Sequence, residues 1–293
     1  MSESNAQFPR IGFVTTCRGR LHHIQRTLPL IVAERPDEIT VVDHDCPQGT
    51  GAWVESNHPD VKVLYIKDGA PFNVSRARNV GIRASAADVL CVIDADVLVA
   101  PGFVSWIRQK AGERTFFRQA TDNGRRLTET WGTFVSPRLL LLEIGLFDEV
   151  FDGWGGEDND IYYRLKAAGS IEKSFPLSFV TAISHGADQR FAPYQQKDKR
   201  FHLLVNDLYM AAKRILLAQV WPVKDVPLEV RQQVWREIKR SVIALDKQTV
   251  IRIRVNWEAG APPPYRVNTT VTIDLKVDKM LPGPATAPLA SPG

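Results

Sequence analysis

The chain is poor in cysteine: only Cys17, Cys46 and Cys91 occur among its 293 residues. An odd number, far apart and each in or beside a predicted strand, supports neither a disulfide framework nor a zinc site. They are read as reduced core or loop thiols. Long apolar runs are missing as well, and nothing approaches the roughly 20 residues that a membrane-spanning helix requires. The N-terminal stretch MSESNAQFPRIGFV has an acid ahead of any apolar run and lacks the basic and apolar regions of a secretory signal, so a cytoplasmic location is expected. Net charge is also scarce. At +4 over this length, the chain does not suggest the basic patch or stripe used for nucleic acid, and no nucleic-acid partner is expected. The slight excess suits an anionic small substrate or peripheral contact with an anionic membrane surface. There is no internal repeat. What remains, 44% hydrophobic and 24% charged residues, is the composition of an ordinary globular protein.

The stretch from Asp88 to Val99, DVLCVIDADVLV, reads as a buried strand over Val89 to Ile93 running directly into Asp94 and Asp96. Side chains two apart in an extended segment point the same way, so both acids are expected on one side of the strand's end. A hard divalent ion such as Mg2+ or Mn2+ is held by one or two carboxylates and completed by water and phosphate oxygens. The alternative is an acid pair that merely ends a strand and solvates a turn.

Upstream, Ile11 to Thr16 is a short apolar run ending in the polar turn TTCRGR, followed by a helical segment from Leu21 to about Ala33 that Pro29 should kink or shorten. Glu38 to Val42 gives a second strand and a loop through Gly51, Val61 to Ile66 a third, and FNVSRARNVGIRAS a helix. Strands alternating with helices predict an α/β fold with a mostly parallel sheet flanked by helices, its ligands beyond the carboxyl ends of the strands. A helix from Pro101 to about Lys110 follows, then strands over Arg114 to Ala120 and Trp131 to Val135 around a polar turn, and a short helix over Pro137 to Ile144. A helix begins near Glu157 and ends at Gly169, and Leu177 to Ser184 reads as a strand stopping at His185. Beyond about Phe201 come two amphipathic helices and two alternating segments, Val250 to Trp257 and Tyr265 to Val277, that suit a β-hairpin. The expected division is 1–196 as the catalytic domain, 197–280 as the C-terminal helices with the hairpin, and 281–293 as a disordered tail.

Four stretches carry polar residues that a fold alone does not demand. In Trp154, Gly155, Gly156, Glu157 and Asp158, the glycines let the backbone approach a ligand and the tryptophan offers a flat face to a sugar ring. The two acids sit in the first turn of a helix, where the dipole stabilises them with or without a function. That dipole should keep Asp158 ionised and lower its proton affinity, so that a base here works by position. Arg76, Arg78, Asn79 and Arg83 lie on a helix whose start faces the expected cleft; arginine forks match phosphate oxygens, although a solvated basic face has the same pattern. Asp43, His44 and Asp45 suit nucleoside contact, a second metal site or an Asx turn, with Asp43 preferred for the nucleoside. His185 is either a nitrogen ligand to the same ion or a structural histidine.

In order, VTTCRGRLHHIQRTLP, ITVVDHD, FNVSRARNVGIRAS, VLCVIDADVLVAPGFV and GLFDEVFDGWGGEDNDIYYRL resemble the GT-A glycosyltransferases of the inverting, family-two-like type. The last is similar to the catalytic motif shared by galactosyltransferases, chondroitin-type polymerases and polypeptide N-acetylgalactosaminyltransferases. The resemblance covers about residues 9 to 190. It implies that Thr15 and Arg18 border the nucleotide, that Asp43 meets the uridine, that Arg78 lies near the diphosphate or donor sugar, and that Asp94 and Asp96 serve the ribose and the metal. Asp158 would be the catalytic base, with Glu157 and Trp154 shaping the acceptor or donor site and His185 closing the metal shell. Arg76, Trp131, Gly155 and Gly156 are counted with the substrate-binding residues. The sequence departs from the pattern after His185, where Gly186, Ala187 and Asp188 follow.

The expectation is therefore a glycosyltransferase using Mn2+ or Mg2+ that moves a hexose or N-acetylhexosamine from a UDP-sugar to a hydroxyl of a saccharide or glycoconjugate, with inversion. The rivals are a non-catalytic nucleotide-sugar or glycan-binding module, and a sugar nucleotidyltransferase, for which TTCRGR supplies only one of the glycines normally found after the first strand. The C-terminal helices either cover the acceptor cleft, form a homodimer, touch a membrane surface or present a solvated face.

Overall fold

Four apolar segments, IGFVTTC, EITVVD, KVLY and VLCVID, form the parallel strands β1 (Ile11–Cys17), β2 (Glu38–Asp43), β3 (Lys62–Tyr65) and β4 (Val89–Asp94). The register pairs Cys17 with Asp43 and Thr16 with Asp94, so the polar ends of β1, β2 and β4 finish level. In this computed structural model residues 8–184, 198–221, 226–244, 250–259 and 267–277 are described. Helices α1 (Leu21–Ala33), α2 (Thr50–Asn57) and α3 (Val74–Ala84) connect the parallel strands. After β4 come β5 (Val97–Val99), α4 (Phe103–Lys110), β6 (Thr115–Gln119), β7 (Phe134–Pro137), α5 (Arg138–Glu143), α6 (Glu157–Ala167), β8 (Ile171–Phe175), a 3-10 turn over Leu177–Phe179, and β9 (Val180–Ala182). The main sheet has the order β3-β2-β1-β4-β7-β6-β8, in which β7 runs antiparallel to both neighbours. A small antiparallel pair joins β5 to β9.

Both faces of the sheet are covered, and the strand alternation sorts the core into two layers. Ile11, Phe13, Cys91 and Ile93 pack on one face beneath Ile24, Leu28, Phe103 and Ile107. Val14, Leu90 and Val92 pack on the other, with Ile82, Phe134, Leu141, Ile161 and Leu165. A further core belongs to the C-terminal segment: α7 (Lys199–Gln219), α8 (Leu228–Ile243) and the antiparallel hairpin β10 (Val250–Ala259) with β11 (Val267–Lys276). Val205, Tyr209, Val234, Ile238, Ile253 and Ile273 fill it, and Val150 and Phe151 reach into it from the segment ahead of α6.

Several expectations are corrected. Helix α1 runs unbroken through Pro29; Pro29 and Gln25, whose carbonyl loses its donor, are both exposed, so that carbonyl is open to solvent and the lost bond costs little. Helix α4 starts at Phe103 after a left-handed Gly102, two residues past Pro101. The strand expected over Trp131 to Val135 is β7, shifted to Phe134–Pro137, which leaves Trp131 and Gly132 in a turn. Leu177 to Ser184 splits into the 3-10 turn and β9. The chain turns at Ala95 and Asp96 between β4 and β5, so Asp94 and Asp96 do not alternate along one strand. Helix α2 and the edge strand β8 have no expected counterpart. His185 and the 281–293 tail lie outside the described residues. Among those described, the three cysteines are free and no helix is long and apolar enough to cross a membrane.

Candidate active site

A cleft of about 380 Å³ opens where β1 and β4 end and α6 begins. At its centre is Arg78, 3% exposed. Asn73 caps α3 by accepting from the Arg76 N–H, and this sets the helix so that Arg78, in its second turn, points along the ends of the strands. Its guanidinium donates at 2.8 Å to Asp94 Oδ1 at the end of β4 and at 2.8 Å to Asp158 Oδ1 in the first turn of α6. Glu157 Oε1 stands 3.5 Å away, and the Phe147 ring lies beneath, its centroid at 5.0 Å. One cation thus faces three carboxylates.

That imbalance decides the proton affinities. Burial pushes the Glu157 carboxyl up to about 8, helped by the Asp158 charge and opposed by Arg78. Asp158 is also raised, by burial first, with Arg78 pulling it down and Asp94 pushing it up. The helix start was expected to lower Asp158; desolvation outweighs the dipole. Burial works against the Arg78 charge too, but the carboxylates of Asp158, Asp94 and Glu157 outweigh it and hold the guanidinium protonated.

The rim nearest β1 carries Thr16, Arg18, Arg20 and Asp96. Arg20 donates to Asp96 at 2.7 Å, and Arg18 donates to the His44 carbonyl at 2.9 Å with Asp45 at 3.7 Å. The opposite rim holds Trp131, Trp154, Gly155, Gly156 and, from α7, Leu203 and Asp207. Trp131 is fixed at three points: its indole N–H donates to Asn159, its carbonyl accepts from Tyr162, and Arg118 lies over its ring at 4.4 Å. The Lys199 ammonium sits 4.9 Å over Trp154. Gly132 leaves a gap where a Cβ would come within 2.7 Å of both Asp94 Oδ2 and Arg78.

The cleft therefore brings together Arg18, Arg78, Asp94, Asp96, Trp131, Trp154, Gly155, Gly156, Glu157 and Asp158. Three expected residues are placed elsewhere. Thr15 is buried in the sheet and its neighbour Thr16 faces the cleft, because alternate side chains leave opposite faces of β1. Asp43 is buried, with Oδ1 accepting from the Cys46 N–H at 2.7 Å and Oδ2 from the Gly51 N–H at 2.6 Å; it closes the loop into α2, as the turn reading required. Arg76 turns outward and pairs with Asp68. Sequence reasoning passed over Arg20, although it lies in the same TTCRGR turn, and over Leu203 and Asp207, which nothing short of the packing of α7 assigns to the cleft.

Asp94 and Asp96 offer hard oxygens beside open space, which fits a divalent ion completed by phosphate oxygens and water. Each is also shared with an arginine, and among the described residues no three His, Cys, Asp or Glu side chains gather as a ligand set.

Residues 13–124 match the glycosyl transferase family 2 model. The family 2 match takes in Arg78, Asp94 and Asp96 and ends before Trp131 and Asp158. Validoxylamine A glucosyltransferase of Streptomyces hygroscopicus is 22% identical, the likeness covering 58% of this chain and 54% of that protein. The chain thus spans about half the length of the curated relatives it matches. The mannosyltransferase PcManGT of Pyrobaculum calidifontis, solved with GDP-Man and Mn2+, superposes with a TM-score of 0.52 at 15% identity over 83% of this chain and 76% of its own. Residues 1–349 of TarS from S. aureus, solved with UDP-GlcNAc, give 0.55 at 13% identity over 79% and 72%. The mostly parallel sheet between helices is the GT-A arrangement of these structures.

Proposed function

We propose that this chain is a metal-dependent inverting glycosyltransferase that moves a hexose or N-acetylhexosamine from a UDP-sugar to a hydroxyl of a saccharide or glycoconjugate. The single observation that carries the reading is the Arg78 bridge, which joins Asp94 at the end of β4 to Asp158 at the start of α6 in one cleft. The family 2 match over residues 13–124 and the Mn2+ in the PcManGT complex support it.

In this reading Arg18, Arg20 and Arg78 face the diphosphate, where guanidinium forks complement phosphate oxygens. Asp94 and Asp96 would hold Mn2+ or Mg2+, which supplies charge neutralisation for the departing nucleoside diphosphate. Asp158 takes the proton of the acceptor hydroxyl as its oxygen attacks the anomeric carbon. The bond to the phosphate oxygen breaks on the opposite face, and the electron pair leaves with UDP, so one displacement inverts the centre. The raised proton affinity of Asp158 suits a base better than an exposed carboxylate would. Arg78 orients it and keeps it ionised before reaction. Trp154 and Trp131 supply flat faces to sugar rings.

The test is UDP release from a panel of UDP-sugars, with and without Mn2+, for the parent, Asp158→Asn and Asp96→Ala. Loss of a general base lowers rates by about 100-fold or more, and Asp96→Ala should remove the response to metal. Parent-like turnover in both variants would end the assignment.

A further inference from the structure

Asn206 sits in the interior of α7, 0% exposed. Asparagine is a poor residue for a helix interior, because its side chain competes for backbone groups. Here the amide is directed away from its own helix. Nδ2 donates to the Gly155 carbonyl at 2.7 Å, with the Trp154 carbonyl at 3.4 Å and the Asp152 carbonyl at 3.5 Å. Oδ1 accepts from the Trp235 indole of α8 at 3.4 Å. One side chain therefore receives the loop on one side and is braced by the next helix on the other.

Two positions of the loop it grips have no room for a side chain. Gly153 has φ +85, and a Cβ there would run into the His202 ring of α7; Gly156 has φ +98, and a Cβ would meet Phe151 at 2.7 Å and Asn206 Cβ at 3.0 Å. Glycine permits both the left-handed backbone and the close approach. The chain just ahead is tied independently, since Asn73 and Asn79 of α3 hold the carbonyls of Phe147, Glu149 and Phe151. Between those ties and the first turn of α6, Asn206 makes the only side-chain hydrogen bond to a loop carbonyl among the described residues. The loop carries Trp154 into the cleft and delivers Glu157 and Asp158.

We infer that Asn206 is a positioning residue: from the C-terminal helix α7 it fixes the Gly153–Gly156 loop, and so aims Trp154 and Asp158 at the sugar side of the cleft without touching the nucleotide side. This deepens, and rests on, the transferase reading. Its physical basis is that a misplacement of about 1 Å in a reacting group costs around 100-fold in rate, and that a buried carbonyl stripped of its donor drives the backbone to rearrange.

The experiment compares Asn206→Asp, which keeps the shape and loses the donor, and Asn206→Ala with a control lesion in the same helix, Leu216→Ala, whose side chain is buried in the C-terminal core and makes no side-chain hydrogen bond to the loop. Hydrogen exchange at residues 153–158, UDP binding with Mn2+ by calorimetry, and UDP release from UDP-sugars are read on each full-length chain. The two Asn206 variants should speed exchange in the loop and slow UDP release by about tenfold or more, with the UDP dissociation constant within about twofold of the parent. Leu216→Ala should lower the melting temperature and leave the loop exchange as in the parent. Unchanged loop exchange in the Asn206 variants, or equal loop exchange in Leu216→Ala, overturns the inference. A parent that turns over no UDP-sugar overturns the transferase reading instead, and the exchange data then still decide the role of Asn206.

Discussion

Arg78 is the residue on which the site balances. Its buried cation is shared by Asp94, Glu157 and Asp158, so replacing it with a neutral side chain leaves these acids beside one another without a counter-charge. Arg78→Met should destabilise the chain by about 3–5 kcal/mol at pH 7, the usual cost of breaking a buried ion pair. The loss should shrink toward pH 5 as Asp158 and Glu157, both raised by burial, take up protons; urea unfolding at the two pH values measures it. Glu157 gives a second pH signature. Its folded pKa of about 8 stands above the ordinary carboxylate value, so the folded state binds the extra proton. The stability this contributes is complete below about pH 4.5 and is lost as pH rises through about 8. Glu157→Gln copies the protonated form, and its melting temperature should gain on the parent from about pH 5 to pH 8 and level off above that. A constant difference across that range would contradict the shift.

At the scale of elements, α1 carries an internal proline that its surroundings tolerate. Pro29→Ala restores the bond from residue 29 to the Gln25 carbonyl on the exposed face and should stabilise by about 1–2 kcal/mol, less than the full helix-interior penalty because that carbonyl is open to solvent. Calorimetric melting would show it. The elements legible in the sequence were those with strong periodicity: β1, β2 and β4 as apolar runs, α3 and α6 as helices with clear ends, and the C-terminal helices and hairpin by their alternation. Helix α2 escaped because TGAWVESN has no apolar stripe and buries only Thr50, Gly51 and Val54. Strand β8, IEKSF, escaped because an edge strand with most of its side chains exposed shows no hydrophobic pattern. Trp131 was assigned to a strand and proved to be in a turn, which is what frees it to line the cleft.

On the scale of the whole molecule, two cores are joined by a buried ionic network. Lys213 of α7, 1% exposed, donates to Asp148 at 2.8 Å and stands 3.1 Å from Asp160 of α6. Arg231 of α8 and the Tyr209 hydroxyl complete Asp148, and Arg164 completes Asp160. Burial opposes the Asp148 charge, but Lys213 and Arg231 outweigh it and hold its carboxyl below the usual range. That stability is present above the ordinary pKa and lost as pH falls. Lys213→Met should cost about 3–5 kcal/mol at pH 7, and the cost should shrink as pH falls because Asp148 without that cation takes up a proton more readily; urea unfolding at pH 7 and pH 4 measures it, and a cost that does not change with pH would contradict the pairing. The strongly periodic strands and helices, the acids at the end of β4 and the glycine-led start of α6 were readable from residue type and spacing, because those signals are local. Which acid meets which arginine was not. Asp94 and Asp158 are 64 positions apart in a chain of 293, and they share Arg78 only because the carboxyl end of β4, helix α3 and the start of α6 converge in the middle of the sheet. The same holds for α7: its amphipathic pattern announces a buried face, but only packing determines that the face closes over the loop ahead of α6 and completes the cleft.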